Sequence, residues 1–241
     1  MSQAFLSVDT VSKRFGGLLA VDSVAFDVAQ GEIVSIIGPN GAGKTTLFNL
    51  LTGQLSPTQG RILFDGVDVS QAPPQVRARL GFGRTFQISQ TLTSLTVLEN
   101  AMVGAFLRHP RLTDAARHAQ GILELVGLGA RASVRAGALT LSERRRLEVA
   151  RALATQPRIL LLDEVMAGLN ATEVHQVVEL VQSLNARGYT FLVIEHNLKV
   201  VRTFSRRVVV LNRGAKLAEG TAEEVLGSPE VVEAYVGRKR R

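Results

Sequence analysis

The sequence predicts an α/β fold: a mainly parallel core sheet, an antiparallel β segment near the N-terminus and a helical insertion. Residues 32–38 (EIVSIIG), 158–162 (RILLL) and 190–194 (TFLVI) are near-continuous apolar runs. Such runs suit parallel strands buried on both faces. A glycine-rich loop at 38–45 separates the first run from a helix-like segment. Between about 91 and 154 the apolar spacing turns helical, which places helices between strands.

Taken in order, Phe5, Ser7, Val8 and Val11, then residues 19–26, alternate as antiparallel strands do. Residues 44–51 read as a helix that stops at Gly53, and 61–64 as a strand ending in a turn at Asp65-Gly66. Within the insertion, 114–126 carries one apolar face, with Thr113 as its expected N-cap and Gly127 as its stop. Residues 142–155 form a second such helix, with Leu147, Ala150 and Leu153 on one face. A further helix covers about 172–185, between two of the apolar strands. Residues 207–211 read as a strand before a turn at Asn212-Arg213-Gly214, and the segment from Thr221 is helical, broken at Gly227-Ser228-Pro229. The expectation is one domain over 1–241, with the helical subdomain at about 88–155 inserted in the core.

At 241 residues the chain can bury a substantial core without staples. It has no cysteine, which excludes disulfides, thiolate metal sites and cysteine nucleophiles. No signal-peptide pattern opens it, and no run of about 18 apolar residues would span a membrane. The net charge is +7, and Arg238, Lys239, Arg240 and Arg241 are among the basic groups. That run reads either as a solvated tail or as a contact for anionic lipid or a partner. Few aromatics lie among the basic residues, so the stacking platform of a single-strand nucleic-acid binder is missing and no nucleic acid is expected.

Gly38-Pro39-Asn40-Gly41-Ala42-Gly43-Lys44-Thr45 fits G-x-x-x-x-G-K-[ST] at every position, between a buried strand and a helix. Its glycines let the backbone curl until N–H groups face phosphate oxygens, and the helix N-terminus adds positive potential. Lys44 is then expected to reach the β- and γ-phosphates and Thr45 to ligate Mg²⁺, with Thr46 completing the nucleotide-binding set. Residues 159–164 are four apolar positions followed by Asp163 and Glu164. A strand would carry Asp163 towards the metal and leave Glu164 to polarise an attacking water. Positioning and electrostatics carry most of phosphoryl transfer, so these groups suffice for hydrolysis. His196 follows the strand 190–194 and is a candidate γ-phosphate contact.

The ordered set of phosphate loop, Gln87 after Arg84-Thr85-Phe86, a helix containing Ala150-Arg151-Ala152-Leu153, Leu162-Asp163-Glu164 and a histidine after a strand resembles ABC transporter ATP-binding subunits over essentially the whole chain. The resemblance implies a P-loop NTPase fold of ABC type, ATP and Mg²⁺ as ligands, and further roles. Phe15 resembles the aromatic that stacks on adenine, and Gln87 the residue that contacts Mg²⁺ or water and couples to the membrane subunit. Asp163 and Glu164 resemble the metal-binding and catalytic acids, and His196 the switch histidine. The family's LSGGQ-like signature aligns with residues 139–143 (LTLSE). There Thr140 keeps a hydroxyl, while Leu141 and Ser142 replace both glycines, putting contact with a second subunit's ATP in doubt. Asn170 stands where the family usually has Asp.

Residues 13–17, 38–53, 84–87 with 95–100, and 214–237 are most similar to the larger ATP-binding subunit of branched-chain amino acid importers. That resemblance implies a second ATP-binding subunit, integral membrane permeases, an extracytoplasmic solute-binding protein reached through the permease, and a peripheral place on the cytoplasmic face of the inner membrane. The rivals are a soluble ABC-family ATPase outside transport and a lipopolysaccharide-export ATPase. One phosphate loop and no sustained heptads weigh against the first; the segment ending Ala234-Tyr235-Val236-Gly237 weighs against the second.

Overall fold

The structure, a computed structural model, describes residues 4–85 and 91–236, with Val236 described through its backbone. In order, the elements are β1 (Leu6–Phe15), β2 (Leu18–Val28), β3 (Ile33–Ile37), α1 (Lys44–Leu51), β4 (Gln59–Phe64), β5 (Val67–Asp68), α2 (Pro74–Leu80), β6 (Phe82–Arg84), α3 (Val97–Ala105) and α4 (Leu112–Leu125). There follow α5 (Leu141–Ala154), β7 (Ile159–Asp163), α6 (Ala171–Ala186), β8 (Thr190–Ile194), α7 (Leu198–Phe204), β9 (Arg207–Asn212), β10 (Ala215–Gly220), α8 (Ala222–Gly227) and α9 (Pro229–Val236). The chain divides into two compact units, Met1–Arg77 with Thr190–Arg241, and Ala78–Tyr189. The second unit therefore holds β6, β7 and α6 as well as the expected helical insertion.

The first unit contains two layers of strands. β2, β1, β4 and β5 form an antiparallel sheet, in which Leu6 lies opposite Val28 and Phe64, and Val8 opposite Phe26 and Ile62. Alternation puts these apolar side chains on one face, and they are buried. β3 runs parallel to β8 and β9, with β10 antiparallel on β9. Every residue of β3 and β8 is buried, the outcome expected of continuous apolar runs. Ile37 at the end of β3 packs in a cluster with Val208 and Val210 of β9, Ala222 and Val225 of α8, and Val231 of α9. The helical tail and its break at Gly227 thus close over the strand that leads into the phosphate loop.

Helix α1 begins and ends where the sequence places it. It buries Leu47, Phe48, Leu50 and Leu51, each worth about 2 kcal/mol of removed apolar surface. Its far end is closed by a residue no periodicity points to. The Arg77 guanidinium, 1% exposed, donates to Leu50 O at 2.6 Å, Leu51 O at 2.7 Å, Ala72 O at 2.9 Å and Ser70 O at 3.0 Å. A cation on the last carbonyls of a helix satisfies orphan acceptors and the negative end of the dipole together. Burial pushes the Arg77 pKa down to about 10, so it remains charged at neutral pH. Gly53, at φ +76°, leaves the space: a Cβ there would lie 2.9 Å from Arg77 Nε and 2.5 Å from Ala72 O.

In the second unit β6 and β7 pair in parallel, Phe82 opposite Ile159 and Arg84 opposite Leu161. Helices α3, α4 and α5 pack together; α4 buries Ala115, Ala119, Ile122 and Leu123. Thr113 is not its N-cap. The helix starts at Leu112, with Arg111 at the cap position and no side-chain cap bond, so the hydroxyl of Thr113 lies inside the first turn. Gly127 does follow the helix end, in the left-handed region at φ +71°. Among the described residues no helix is long and apolar enough to cross a membrane.

Candidate active site

In the first unit, residues 38–43 connect β3 to α1 as one tight curl. Lys44 is 8% exposed, and its ammonium donates to Gly38 O at 2.7 Å and Pro39 O at 3.1 Å, so the loop wraps around its charge. Gly43, at φ +98°, is the N-cap of α1 and offers no side-chain cap. A Cβ on it would lie 2.5 Å from Ala20 O, so backbone alone fits this position. The helix thus presents its positive end to the loop without a side chain in the way. Thr45 is exposed and Thr46 half-buried.

A cavity of about 680 Å³ is lined by Pro39, Asn40, Gly41 and Ala42 and by Glu230 and Glu233 of α9. Arg213 lines it too, so one guanidinium and two carboxylates share a wall with the phosphate loop, while Lys44 and Thr45 are not part of its lining. Phe15 ends β1 with its side chain 44% exposed and Lys13 Nζ 5.3 Å from the ring centroid, an aromatic face open to a base. His196 is exposed just after β8, between buried Glu195 and Asn197, whose side chain caps α7.

In the second unit, β7 delivers Asp163 at its end, 1% exposed. The chain then turns sharply: Glu164 takes a left-handed conformation, φ +50°, uncommon for a residue with a side chain and frequent where function demands it. Asp163 N–H donates to Thr85 Oγ1 at 3.1 Å, and Asp163 Oδ2 accepts from Arg84 Nη2 at 3.1 Å. Burial lowers the Arg84 pKa, and the charge of Asp163 partly restores it. Thr140 is the N-cap of α5: its hydroxyl accepts from Glu143 N–H at 3.2 Å, and the Glu143 carboxylate accepts from Thr140 N–H at 2.9 Å. Leu141 is 43% exposed, whereas Ser142 is 4% exposed, its hydroxyl buried and without a hydrogen-bond partner among the described residues. Of the two residues replacing glycines, then, one points outward and the other into the helices. Asn170 caps α6 in the same reciprocal manner with Glu173.

The structure gathers residues 38–46 in one curl and sets Asp163 beside Glu164 at one strand end. Gln87 lies outside the described residues. Sequence reasoning missed that Arg84 grips Asp163. It stands in the Arg84-Thr85-Phe86-Gln87 run, but the partners are 79 positions apart. Arg77 was missed as well; its signal would have been a basic residue on a short helix with no acidic neighbour in sequence.

A strand–loop–helix phosphate cradle and a carboxylate pair at a strand end define a P-loop nucleotide hydrolase. The chain belongs to the ABC transporter family, whose model matches residues 21–167. A second model, branched-chain amino acid ATP-binding cassette transporter, matches residues 215–240. The high-affinity branched-chain amino acid transport ATP-binding protein LivG of Escherichia coli K12 is 44% identical over 98% of this chain and 99% of its own. LivG of Salmonella typhimurium is 43% identical with the same coverage, and BraF of Pseudomonas aeruginosa 42%. Among solved structures, a nucleotide-free ATP-binding cassette from an ABC transporter superposes with a TM-score of 0.90 at 33% identity, covering 98% of this chain and 100% of that one. A cassette in its ADP conformation gives the same values. A dimeric post-hydrolysis cassette bound to ADP and phosphate has a TM-score of 0.80 at 26% identity, over 90% of this chain and 98% of that one. The expected P-loop fold of ABC type is the fold found.

Proposed function

We propose that this chain powers an importer of branched-chain or related amino acids, with the residues named above as its nucleotide and catalytic groups. It is an ATPase of the ABC transporter family, and hydrolysis is its contribution to transport. The observation that carries the nucleotide reading is the curl around Lys44, closed by a left-handed glycine at an α1 start that no side chain caps. The solute class is supported by the match of residues 215–240 and by the names of relatives matching along 98% of the chain.

Phe15 offers its ring to adenine. Gly38, Asn40, Gly41, Ala42 and Gly43 supply backbone N–H groups to phosphate, joined by Thr46, while Pro39, which has no N–H to give, fixes the bend of the loop between them; Lys44 exchanges carbonyl partners for β- and γ-phosphate oxygens. Glu164 orients and polarises the attacking water, His196 contacts the γ-phosphate, and Gln87 links the site to the membrane partner. Thr140 and Ser142 face a phosphate held by a second subunit; with its hydroxyl buried, Ser142 has its backbone to offer. The donor set fits Mg²⁺: the Thr45 hydroxyl, the Asp163 carboxylate and the Gln87 amide oxygen are hard ligands. The described residues hold no cluster of three or more His, Cys, Asp or Glu able to cage a metal. That agrees with an ion that takes one or two carboxylates plus substrate phosphates. Held by these residues, Mg²⁺ would supply charge neutralisation to the nucleotide phosphates.

The assembly that goes with this reading contains a second ABC ATP-binding subunit, permease subunits in the membrane and a solute-binding protein outside. The chain itself is peripheral on the cytoplasmic face of the inner membrane. Glu164→Gln in the assembled complex is expected to lower Mg²⁺-dependent ATPase turnover by roughly a hundredfold or more while ATP binding persists. An unchanged rate would remove Glu164 from the mechanism. A tagged pull-down from native membranes tests the transport reading. Recovery with two multi-spanning permeases and a second P-loop subunit supports it, and recovery with ribosomes or DNA-repair proteins alone overturns it.

A further inference from the structure

Arg84 bonds the carboxylate of Asp163 itself. The backbone of β7 and the Thr85 hydroxyl hold that residue's main chain in place. Thr85 N–H donates to Leu161 O at 3.0 Å, and Asp163 N–H donates to Thr85 Oγ1 at 3.1 Å. The Arg84 side chain adds a full positive charge, its fork steadied by Nε donating to Thr85 O at 3.3 Å. The two charged side chains are 10% and 2% exposed. A buried ion pair of this kind contributes little net stability on average, because desolvation offsets the attraction. Its electrostatic effect on a third charge is nevertheless large, since little water screens it.

We propose that Arg84 gates the metal-binding carboxylate: its guanidinium cancels the charge of Asp163 in the nucleotide-free protein, so that Asp163 holds a divalent cation only when nucleotide phosphates arrive with it. This rests on Asp163 being a metal ligand, as argued above. A carboxylate and a guanidinium together present no net charge to a dication, which would have to shed water for nothing in return. Glu164 follows Asp163, but among the described residues no group of three or more His, Cys, Asp or Glu could hold a metal ion without the nucleotide. A polyphosphate, with several negative charges, restores the balance, and the cation then enters as its nucleotide complex. The device keeps an idle subunit from capturing metal into a site that has no substrate.

The test uses the full-length chain and Mn²⁺ as the probe, with free Mn²⁺ read by electron paramagnetic resonance and folding checked by thermal melting. Without nucleotide, Arg84→Gln is expected to bind Mn²⁺ roughly tenfold more tightly than the unaltered chain, because removing a nearby cation favours another. Arg84→Lys keeps the charge but loses the planar fork and reach, and is expected to gain roughly threefold; it carries the test if Arg84→Gln does not fold. With a non-hydrolysable ATP analogue present, the unaltered chain and the variants converge. A folded variant whose nucleotide-free Mn²⁺ affinity equals or falls below that of the unaltered chain overturns the gate. Asp163→Asn separates the two layers of the argument. It should abolish the gain in the Arg84→Gln background and weaken analogue-dependent Mn²⁺ binding in the unaltered one. If analogue-dependent binding survives Asp163→Asn intact, the ligand assignment has failed and the gate with it.

Discussion

Helix α1 starts at Gly43, an N-cap with no side chain to offer its N-terminal amides, whereas α5 starts at Thr140 with its own carboxylate, Glu143, folded back onto the cap. Both helix starts are expected to face phosphate, one in this chain's own loop and one on a second subunit. The difference lies in where the negative charge comes from. α5 is completed from within, by the same reciprocal box that opens α3, α6 and α8. α1 is left for an external anion to complete. The signature-like start therefore gains local stability and gives up part of the field that draws a phosphate, and the loop start does the reverse.

The largest expected effect lies at α1. Lys44→Ala removes the charge at the centre of the curl and is expected to abolish nucleotide binding in a titration with an ATP analogue; retained affinity would mean that backbone N–H groups suffice and the contrast with α5 is weaker than stated. Next comes Gly43→Ala, which forces a methyl to within 2.5 Å of Ala20 O at φ +98°. It is expected to cost about 1–3 kcal/mol in a denaturation curve and to weaken nucleotide binding at least roughly tenfold. The smallest effect is at α5. The hydrogen bond from Thr140 N–H, with the Arg131 guanidinium assisting, holds the Glu143 pKa below its usual value of 4.5. A depressed carboxylate contributes stability that is full above its unfolded pKa and is lost as pH falls through its folded one. Thermal midpoints of the unaltered chain and Glu143→Gln should therefore differ near neutrality and converge as pH drops below 4.5. A constant difference would show that the box acts through geometry, not charge.

Much of this was legible in the sequence where one residue type has one physical use. Gly38 to Thr45 announces a strand–loop–helix, and Gly53 the stop of α1, because a positive φ is cheap only for glycine. The continuous apolar runs announce buried parallel strands. α2 was not legible: over Pro74–Leu80 its one buried residue is an arginine, so no apolar face marks it. Thr113 misled because the helix already opens at Leu112, with Arg111 at the cap position, so its hydroxyl falls inside the first turn. The inward turn of Ser142 and the grip of Arg84 on Asp163 depend on what surrounds them in space, which neighbours in sequence do not report.

The closure of α1 by Arg77 has a consequence for how this chain can vary through descent. Enlarging Gly53 evicts the guanidinium, and shortening Arg77 strips donors from the carbonyls of Leu50, Leu51, Ser70 and Ala72. Each single change is therefore expected to destabilise the chain, and losing Arg77 does not free position 53, because a Cβ there would still lie 2.5 Å from Ala72 O.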